Sequence, residues 1–348
     1  MISSSRFAQL ASPIALLLLS SGLSLPAQNS SSQLVGTILN FGPDLETIAG
    51  GVCRQPEGIA VDGDGNFYLA SNSDAATTVG HVCVLDPKGN LIDIIDVPSV
   101  PGVAAIGLVG EYWEGDYLFV CDQSDNVPPH GRVLKINPRT REVTTHFSGL
   151  AFPNGFAEDY RGNFYVTDSL LGRIYRFTTE PNSATVWLED PALLSTNPNQ
   201  NVGANDLAFN ADESYLYVDN AGMRQVFRIP FHRNGTPGKI QLFADGATLD
   251  EQYGLPSPTT LNSADGMQFD VKGNLYVMSN QTDEVEVFAP DGALIHRYSG
   301  TGVNALSFNA SPIFKGSKLY MTNMSATDGG VNSKVSVLQA PYPGIRLP

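Results

Sequence analysis

The chain has 348 residues with 35 acidic and 20 basic side chains, which gives a formal net charge of −15 at pH 7. Such an acidic surface repels phosphate backbones and anionic lipids, so we expect neither a nucleic-acid partner nor a membrane partner. The charge is compatible with a small-molecule substrate or a cation. Nothing in the sequence indicates an oligomeric state.

The beginning of the chain has the pattern of a secretory signal peptide. Arg6 precedes an apolar stretch over residues 14–19, which continues through Leu23 and Leu25 to Ala27. A membrane anchor would need about 20 apolar residues in a row, and here Ser20, Ser21 and Gly22 interrupt the run. We therefore predict a signal peptide over residues 1–27, a secreted or periplasmic protein, and one mature domain over residues 28–348.

The three cysteines are too few to build a disulfide scaffold, and they match no metal motif of the Cys-x-x-Cys kind. In an exported protein they are expected to give one disulfide and one free thiol. Of the three residues, Cys53, Cys83 and Cys121, we favour pairing of the first two.

One short strand signature organises the rest of the chain: an apolar or aromatic residue, then an aromatic residue, then an aliphatic one. It occurs six times at spacings of 44 to 59 residues, as FYL (67–69), LFV (118–120), FYV (164–166), LYV (216–218), LYV (275–277) and LYM (319–321). A period near 50 residues built from short strands and Gly/Asp/Asn turns is typical of propeller blades. The sequence thus predicts an all-β, six-bladed β-propeller.

The first repeat contains four strand-like segments, at 58–62, 67–71, 81–86 and 91–97, with hairpin turns DGDGN and PKGN between them. The sixth repeat ends after segment 333–341, before a fourth strand. The N-terminal segment 45–51 (LETIAGG) is similar to 142–149 (EVTTHFSG), an outer strand of another blade. We therefore predict that segment 45–51 completes the last blade and closes the ring, which removes exposed sheet edges.

Four blades carry a polar residue ten or eleven positions before the signature strand, namely Glu57, Asn154, Asn205 and Asp265. Each stands at the predicted start of an innermost strand, so all four are expected to face the central channel. Carboxylates that converge in a buried funnel repel one another, and a hard cation would compensate them. Oxygen ligands of this mixture favour Ca²⁺, with Mg²⁺, Mn²⁺ or Zn²⁺ as alternatives. Asn-Gly and Asp-Gly are also ordinary turn pairs, but Glu is a poor turn former.

The segments PEGIAVDGDGNFYLA, FPNGFAEDYRGNFYVTDS, NDLAFNADESYLYVDN and ADGMQFDVKGNLYVMSN resemble the SMP-30/gluconolactonase/LRE-like superfamily of lactonases and phosphotriesterases. This resemblance spans essentially the whole mature chain. It implies that Glu57, Asn154, Asn205 and Asp265 bind a catalytic divalent ion and that Asp265 activates water as a general base. In blade two, the residues near 105–108 are apolar and supply no ligand.

Four further residues are candidates for contact with a substrate at the same mouth. Asn304 stands at the place in blade six that looks analogous to the ligand position, and His130 lies in a rim loop, where a solvated histidine is the simpler interpretation. Asp168 and Asn220 end second strands beside the two Asn ligands.

The leading functional hypothesis is a metal-dependent hydrolase, a lactonase that acts on a small lactone or ester. No Gly-x-Ser-x-Gly elbow, phosphate loop, dinucleotide fingerprint or His-Glu-x-x-His motif is present, so the common serine, nucleotide and zincin chemistries are disfavoured. Two alternatives stay open: a non-catalytic binding propeller of the NHL type, and a strictosidine-synthase-like enzyme on the same scaffold.

Overall fold

A computed structural model of the chain describes residues 36–43, 45, 51–72 and 77–347. These residues form 24 strands, one α-helix, α1 (Gly246–Tyr253), and three short 3₁₀ helices (Pro191–Leu193, Gly302–Asn304 and Ala326–Asp328). The strands make six antiparallel sheets of four strands each. The six-bladed propeller predicted from the repeat is therefore confirmed, whereas the predicted signal peptide lies outside the described residues.

The first three blades follow the chain from the innermost strand outwards. Blade one consists of β2 (Pro56–Val61), β3 (Phe67–Ser71), β4 (Val79–Leu85) and β5 (Leu91–Pro98). Blade two consists of β6 (Leu108–Glu114), β7 (Tyr117–Asp122), β8 (Gly131–Asn137) and β9 (Glu142–Leu150). Blade three consists of β10 (Pro153–Glu158), β11 (Phe164–Asp168), β12 (Arg173–Phe177) and β13 (Thr185–Glu189).

The remaining blades repeat this order, and the last one borrows a strand from the start of the chain. Blade four consists of β14 (Ala204–Phe209), β15 (Tyr215–Asn220), β16 (Gln225–Pro230) and β17 (Gln241–Asp245). Blade five consists of β18 (Ala264–Phe269), β19 (Leu275–Ser279), β20 (Glu284–Phe288) and β21 (Leu294–Tyr298). Blade six consists of β22 (Asn309–Lys315), β23 (Lys318–Asn323), β24 (Lys334–Gln339) and β1 (Ile38–Phe41).

Ring closure by an N-terminal strand is confirmed, but the segment predicted to supply it is wrong. The closing strand β1 pairs with β24 from Ile38 opposite Leu338 to Phe41 opposite Val335. Leu45, the first residue of the predicted segment, is buried and donates its backbone N–H to the Ser333 carbonyl at 3.2 Å, and residues 46–50 lie outside the described part. The earlier segment is the closing strand because its four residues pair with β24 and Ile38 packs in the cluster between blades five and six.

The hydrophobic core is divided among the six interfaces between neighbouring blades. Each interface contains one cluster of buried apolar side chains, such as Tyr68, Ile106 and Leu134 between blades one and two. The other five clusters fill the remaining junctions, including the one that joins blade six to blade one. Burial of aromatic and aliphatic residues on both faces of every sheet is therefore what stabilises the closed ring.

The cysteines behave as expected. Cys53 and Cys83 form a disulfide with a Cα–Cα distance of 6.0 Å, and Cys121 is a free, buried thiol. The bridge ties the segment before β2 to strand β4 of the same blade.

Candidate functional site

We call the first strand of each blade the inner strand, and its second residue the ring position. The first residues of the six inner strands each pair with the last residue of the neighbouring second strand, which fixes their equivalence. The residues at the ring position are therefore, from blade one to blade six, Glu57, Val109, Asn154, Asn205, Asp265 and Ala310. The structure thus confirms that the four predicted residues are equivalent and adds two apolar members.

Glycines explain how the inner strands approach one another around the axis. Glycine follows the ring position in four blades, as Gly58, Gly110, Gly155 and Gly266, and an added Cβ at each would overlap backbone atoms of the next inner strand. The Asn-Gly and Asp-Gly pairs are therefore strand residues selected for close packing rather than turns.

Hydrogen bonds connect three side chains of the site directly. Asp265 accepts a hydrogen bond on Oδ1 from Asn205 Nδ2 at 3.0 Å and another on Oδ2 from Asn280 Nδ2 at 2.9 Å. Sequence reasoning missed Asn280, which directly follows the second strand of blade five. The four polar ring residues are 4 to 6 % exposed, so the site is almost closed to solvent.

The electrostatics of the site are those of an uncompensated acidic cluster. Burial and the nearby carboxylates of Asp265 and Asp206 raise the pKa of Glu57 well above its ordinary value. Burial also raises the pKa of Asp265 to about 6, although the amide groups of Asn280 and Asn205 act in the opposite direction. Among the residues that the structure describes, Glu57 Oε2, Asn205 Oδ1 and Asn280 Oδ1 are buried oxygen atoms without a hydrogen-bond partner. Orphaned acceptors of this kind are costly unless a cation or solvent satisfies them.

Further buried acids surround the ring position, and the sequence analysis did not identify them. Asp206 stands where four other blades have glycine, and its Oδ2 accepts a hydrogen bond from the Met267 N–H at 2.7 Å. Burial raises the pKa of Asp206 to about 7. Asp219 is wholly buried, and its Oδ1 accepts a hydrogen bond from the Asp206 N–H at 2.7 Å. The signal in the sequence was the Asn-Asp pair of blade four, where the other blades have a small residue.

The predicted place of Asn304 in blade six is wrong. The strand register assigns the ring position to Ala310, because Asn309 pairs with Asn323. Asn304 ends a 3₁₀ helix, and its Oδ1 accepts a hydrogen bond from the backbone N–H of Asn40 in β1 at 3.1 Å. Asn304 lies 15 residues before the signature strand, in the connection that precedes β22, and therefore not on the inner strand.

The other predicted substrate residues hold loops in place. Asp168 accepts hydrogen bonds from the backbone N–H groups of Ala151 and Phe152, at 2.8 and 3.1 Å. Asn220 Nδ2 donates to two carbonyl oxygens of the 190–194 segment, both at 3.0 Å. His130 Nδ1 lies 2.9 Å from the carboxylate of Asp125 in the same rim loop. Contact between these residues and a substrate stays a prediction.

Two negative findings concern the described residues alone. They contain no group of three or more His, Cys, Asp or Glu side chains placed to hold a metal ion. The predicted ligand set has only two carboxylates and otherwise amide oxygens. In the same ranges of the chain, no helix is long and apolar enough to span a membrane.

The fold and site define a class: six-bladed β-propellers with a buried acid–amide cluster on the axis. The sequence profile of the SMP-30/Gluconolactonase/LRE-like region matches residues 194–325. This match confirms the resemblance to that family noted from the sequence, over blades four and five and the first two strands of blade six.

Solved structures of related proteins have the same fold. A luciferin-regenerating enzyme is 13% identical with a TM-score of 0.62, and the match covers 89% of this chain and 99% of that one. A gluconolactonase from Xanthomonas campestris is 16% identical with a TM-score of 0.59, over 87% of this chain and 89% of the other. A calcium-binding protein, regucalcin, from Agrobacterium tumefaciens is 16% identical with a TM-score of 0.56, over 84% and 94%. At these low sequence identities, the similarity shows a shared fold and nothing more.

A shorter match links the chain to a plant protein. Protein STRICTOSIDINE SYNTHASE-LIKE 3 of Arabidopsis thaliana is 42% identical over 48 residues, which cover 14% of this chain and 12% of the plant protein.

Proposed function

We propose that the protein is a divalent-metal-dependent hydrolase that opens a small lactone or a related ester on the propeller axis. The observation that carries the proposal is the ring position, where four of six equivalent residues are Glu57, Asn154, Asn205 and Asp265. The family match and the gluconolactonase-like fold support the same class of reaction. The signal-peptide pattern further supports a secreted or periplasmic location.

The residues at the site fit a divalent ion. Glu57 Oε2 and Asn205 Oδ1 are buried and lack hydrogen-bond partners, so they are available as ligands. Two carboxylates would be neutralised by one divalent charge, which removes the repulsion between Glu57 and Asp265. All donors are hard oxygen atoms, so Ca²⁺ is the preferred ion, with Mg²⁺, Mn²⁺ or Zn²⁺ as alternatives.

The chemistry follows from the placement of these groups. A divalent ion at this position supplies polarisation of a carbonyl oxygen and stabilisation of negative charge. Asn205 and Asn280 orient the Asp265 carboxylate through one hydrogen bond to each oxygen. Held in this way, the Asp265 carboxylate can accept a proton from an attacking water molecule. Val109 and Ala310 leave two sectors of the ring without a polar side chain, on which the apolar part of a substrate can lie.

The test is a hydrolysis screen of lactones, aryl esters and phosphotriesters with and without Ca²⁺, combined with calorimetric titration of Ca²⁺. Asp265→Asn keeps the shape and an oxygen ligand, so it should retain some calcium binding but lose at least about 10²-fold in turnover. Asp291→Asn, in an exposed turn of blade five, is the matched control and should behave as the wild type. Wild-type protein that binds no divalent ion, or an Asp265→Asn variant with full activity, would disprove the proposal.

The screen also separates the alternatives. Calcium-dependent hydrolysis of phosphotriesters but not lactones would mean that the same site acts on phosphotriesters. The match to the plant protein keeps a strictosidine-synthase-like enzyme as the second candidate. That candidate is favoured if none of the three substrate classes is hydrolysed, with or without Ca²⁺. A binding propeller of the NHL type would neither hydrolyse these substrates nor bind the ion.

A further inference from the structure

A large cavity lies at the other end of the inner strands. Its volume is about 1000 Å³, and it is lined by the later residues of all six inner strands and by the C-terminal segment 345–347. Glu57, Asn154, Asn205 and Asp265 are not among the lining residues. We call this space the distal cavity; it adjoins the ring position, since Asp206 also lines it.

The lining of the distal cavity is strongly acidic. It contains six carboxylates and one cationic side chain, Arg346; the six are Asp62, Glu111, Glu114, Glu158, Asp206 and Glu213. The acidic side chains outnumber the basic one, and this excess of negative charge favours a cationic occupant.

The buried carboxylate of Glu111 also indicates a ligand in the distal cavity. Glu111 is 8% exposed. Within the described part of the chain, neither of its carboxylate oxygens has a hydrogen-bond partner of normal geometry. The backbone amides of Ala60 and Ala70 offset only part of the cost of burying this group. A buried carboxylate that lines a cavity and is only partly compensated by backbone amides can accept a hydrogen bond from a charged donor.

Two acids near the mouth have unused acceptor capacity as well. Glu213 Oε1 accepts a hydrogen bond from the Tyr160 N–H at 2.8 Å, but its Oε2 is buried without a partner. Glu158 Oε2 accepts one from the Tyr112 hydroxyl at 3.0 Å. Because Glu158 and Glu213 repel each other, a shared cation would stabilise both.

Aromatic and aliphatic side chains occupy the rest of the wall. Trp113, Phe156, Phe209 and Met267 all line the cavity. Such a wall does not suit a hydrated metal ion, whereas it suits an apolar body that carries a positive charge near aromatic rings. The volume is at the upper end of the range for small-molecule sites, roughly 300 to 1,000 Å³.

We propose that the distal cavity is a second binding site, for an organic ammonium cation with an aromatic or aliphatic body. The charged group is held by the Glu111, Glu158 and Glu213 carboxylates, and the apolar body packs against the aromatic wall. The carboxylates that hold the cation are different from the four polar ring residues, so the proposal does not rest on the proposed hydrolysis.

The experiment is a calorimetric titration of the full chain at neutral pH with benzylammonium, whose N–H groups can donate to the carboxylates, and with benzyl alcohol as the neutral analogue. The cation should bind at least about tenfold more tightly than the alcohol, since a charge-assisted contact is involved. Glu111→Gln and the pair Glu158→Gln with Glu213→Gln should each weaken cation binding about tenfold or more. Glu142→Gln, on the exposed start of β9, is the matched control and should leave binding unchanged. Because Trp113 lines the cavity, the tryptophan fluorescence should also change on binding.

Three results would overturn the proposal. The first is equal affinity for the cation and the alcohol, and the second is unchanged affinity in both sets of Glu→Gln variants. The third is loss of cation binding in Asp265→Asn, which would place the cation at the ring position. Retention of cation binding in Asp265→Asn, even in a variant without hydrolytic activity, supports a separate site.

Discussion

At the scale of single residues, the site depends on amide groups that orient an acid. Asp265 has a hydrogen-bond donor on each oxygen, one from Asn205 and one from Asn280. Asn205 stands at the ring position, whereas Asn280 reaches the same carboxylate from the end of the second strand of blade five. The orientation of the proposed general base is therefore set by two blades at once.

We expect Asn280→Ala to reduce turnover by roughly 10- to 100-fold, because supporting hydrogen bonds of this kind orient reactive groups. Asn234→Ala, in an exposed turn, serves as the control and should have no effect. Steady-state kinetics at saturating Ca²⁺ measure the change. Unaltered kcat in the Asn280→Ala variant would show that Asn205 alone orients the carboxylate.

Glu111 predicts a pH dependence of stability. Burial raises its pKa from the usual 4.5 to about 8. The unfolded chain therefore releases this proton at lower pH than the folded chain. As the pH rises from about 4.5 to about 8, ionisation of Glu111 favours the unfolded state, so the folded protein loses stability. Glu111→Gln is neutral at every pH, so it should be more stable than the wild type at pH 8 by at least about 1 kcal/mol, with a much smaller gain at pH 5.

Chemical denaturation of both proteins in calcium-free buffer at the two pH values measures this difference. Glu142→Gln, an exposed carboxylate, should not change the stability at either pH. An equal gain at pH 5 and pH 8 would mean that packing, and not ionisation, accounts for the effect of Glu111→Gln.

At the scale of elements, one four-residue strand closes the molecule. β1 is paired along its whole length with β24 and gives blade six its fourth strand. Successive side chains of a strand point to opposite faces. Ile38 is accordingly 5% exposed within the cluster between blades five and six, and Leu39 is 44% exposed.

This alternation provides a matched pair of variants for the closing strand. Ile38→Asp should destabilise the protein by about 3 kcal/mol or more, since it removes buried apolar surface and buries a charge. Leu39→Asp, on the exposed face of the same strand, should cost less than about 1 kcal/mol. Thermal unfolding measures both effects. Equal melting temperatures for the two variants would contradict the role assigned to β1.

At the scale of the whole molecule, the proposed ligands come from four different blades. Glu57, Asn154, Asn205 and Asp265 lie on β2, β10, β14 and β18. These strands meet only in the closed ring, so an ion held by all four binds the folded state and not the unfolded chain. Binding should therefore stabilise the entire propeller.

Ca²⁺ at a hundred times its dissociation constant should add about 2.7 kcal/mol to the free energy of unfolding. Glu57→Gln removes one of the two charges and should greatly reduce the increase in melting temperature. The exposed variant Glu142→Gln should retain the full increase. Differential scanning calorimetry with Ca²⁺ and with a chelator tests this, and identical melting temperatures for the wild type in both would contradict a site on the axis.

The repeat signature, the number of blades and the four polar residues at the ring position could all be predicted from the sequence. Each depends on local information, namely the alternation of side chains in a strand and the regular spacing between repeats. Gly58, Gly155 and Gly266 were recognised as parts of motifs for the same reason. Their role in close strand packing became clear only with the neighbouring strands in place.

Contacts between residues far apart in the sequence were decided by the tertiary structure alone. Which N-terminal segment closes the ring depends on the backbone pairing of β1 with β24, which local sequence patterns did not reveal. Asn280 joins the site because the second strand of blade five ends beside Asp265, 15 residues earlier in the chain. Ala310, not Asn304, takes the blade-six position because the hydrogen-bond register of β22 with β23 places Asn309 opposite Asn323. The distal cavity likewise exists only where the later residues of six inner strands surround one axis.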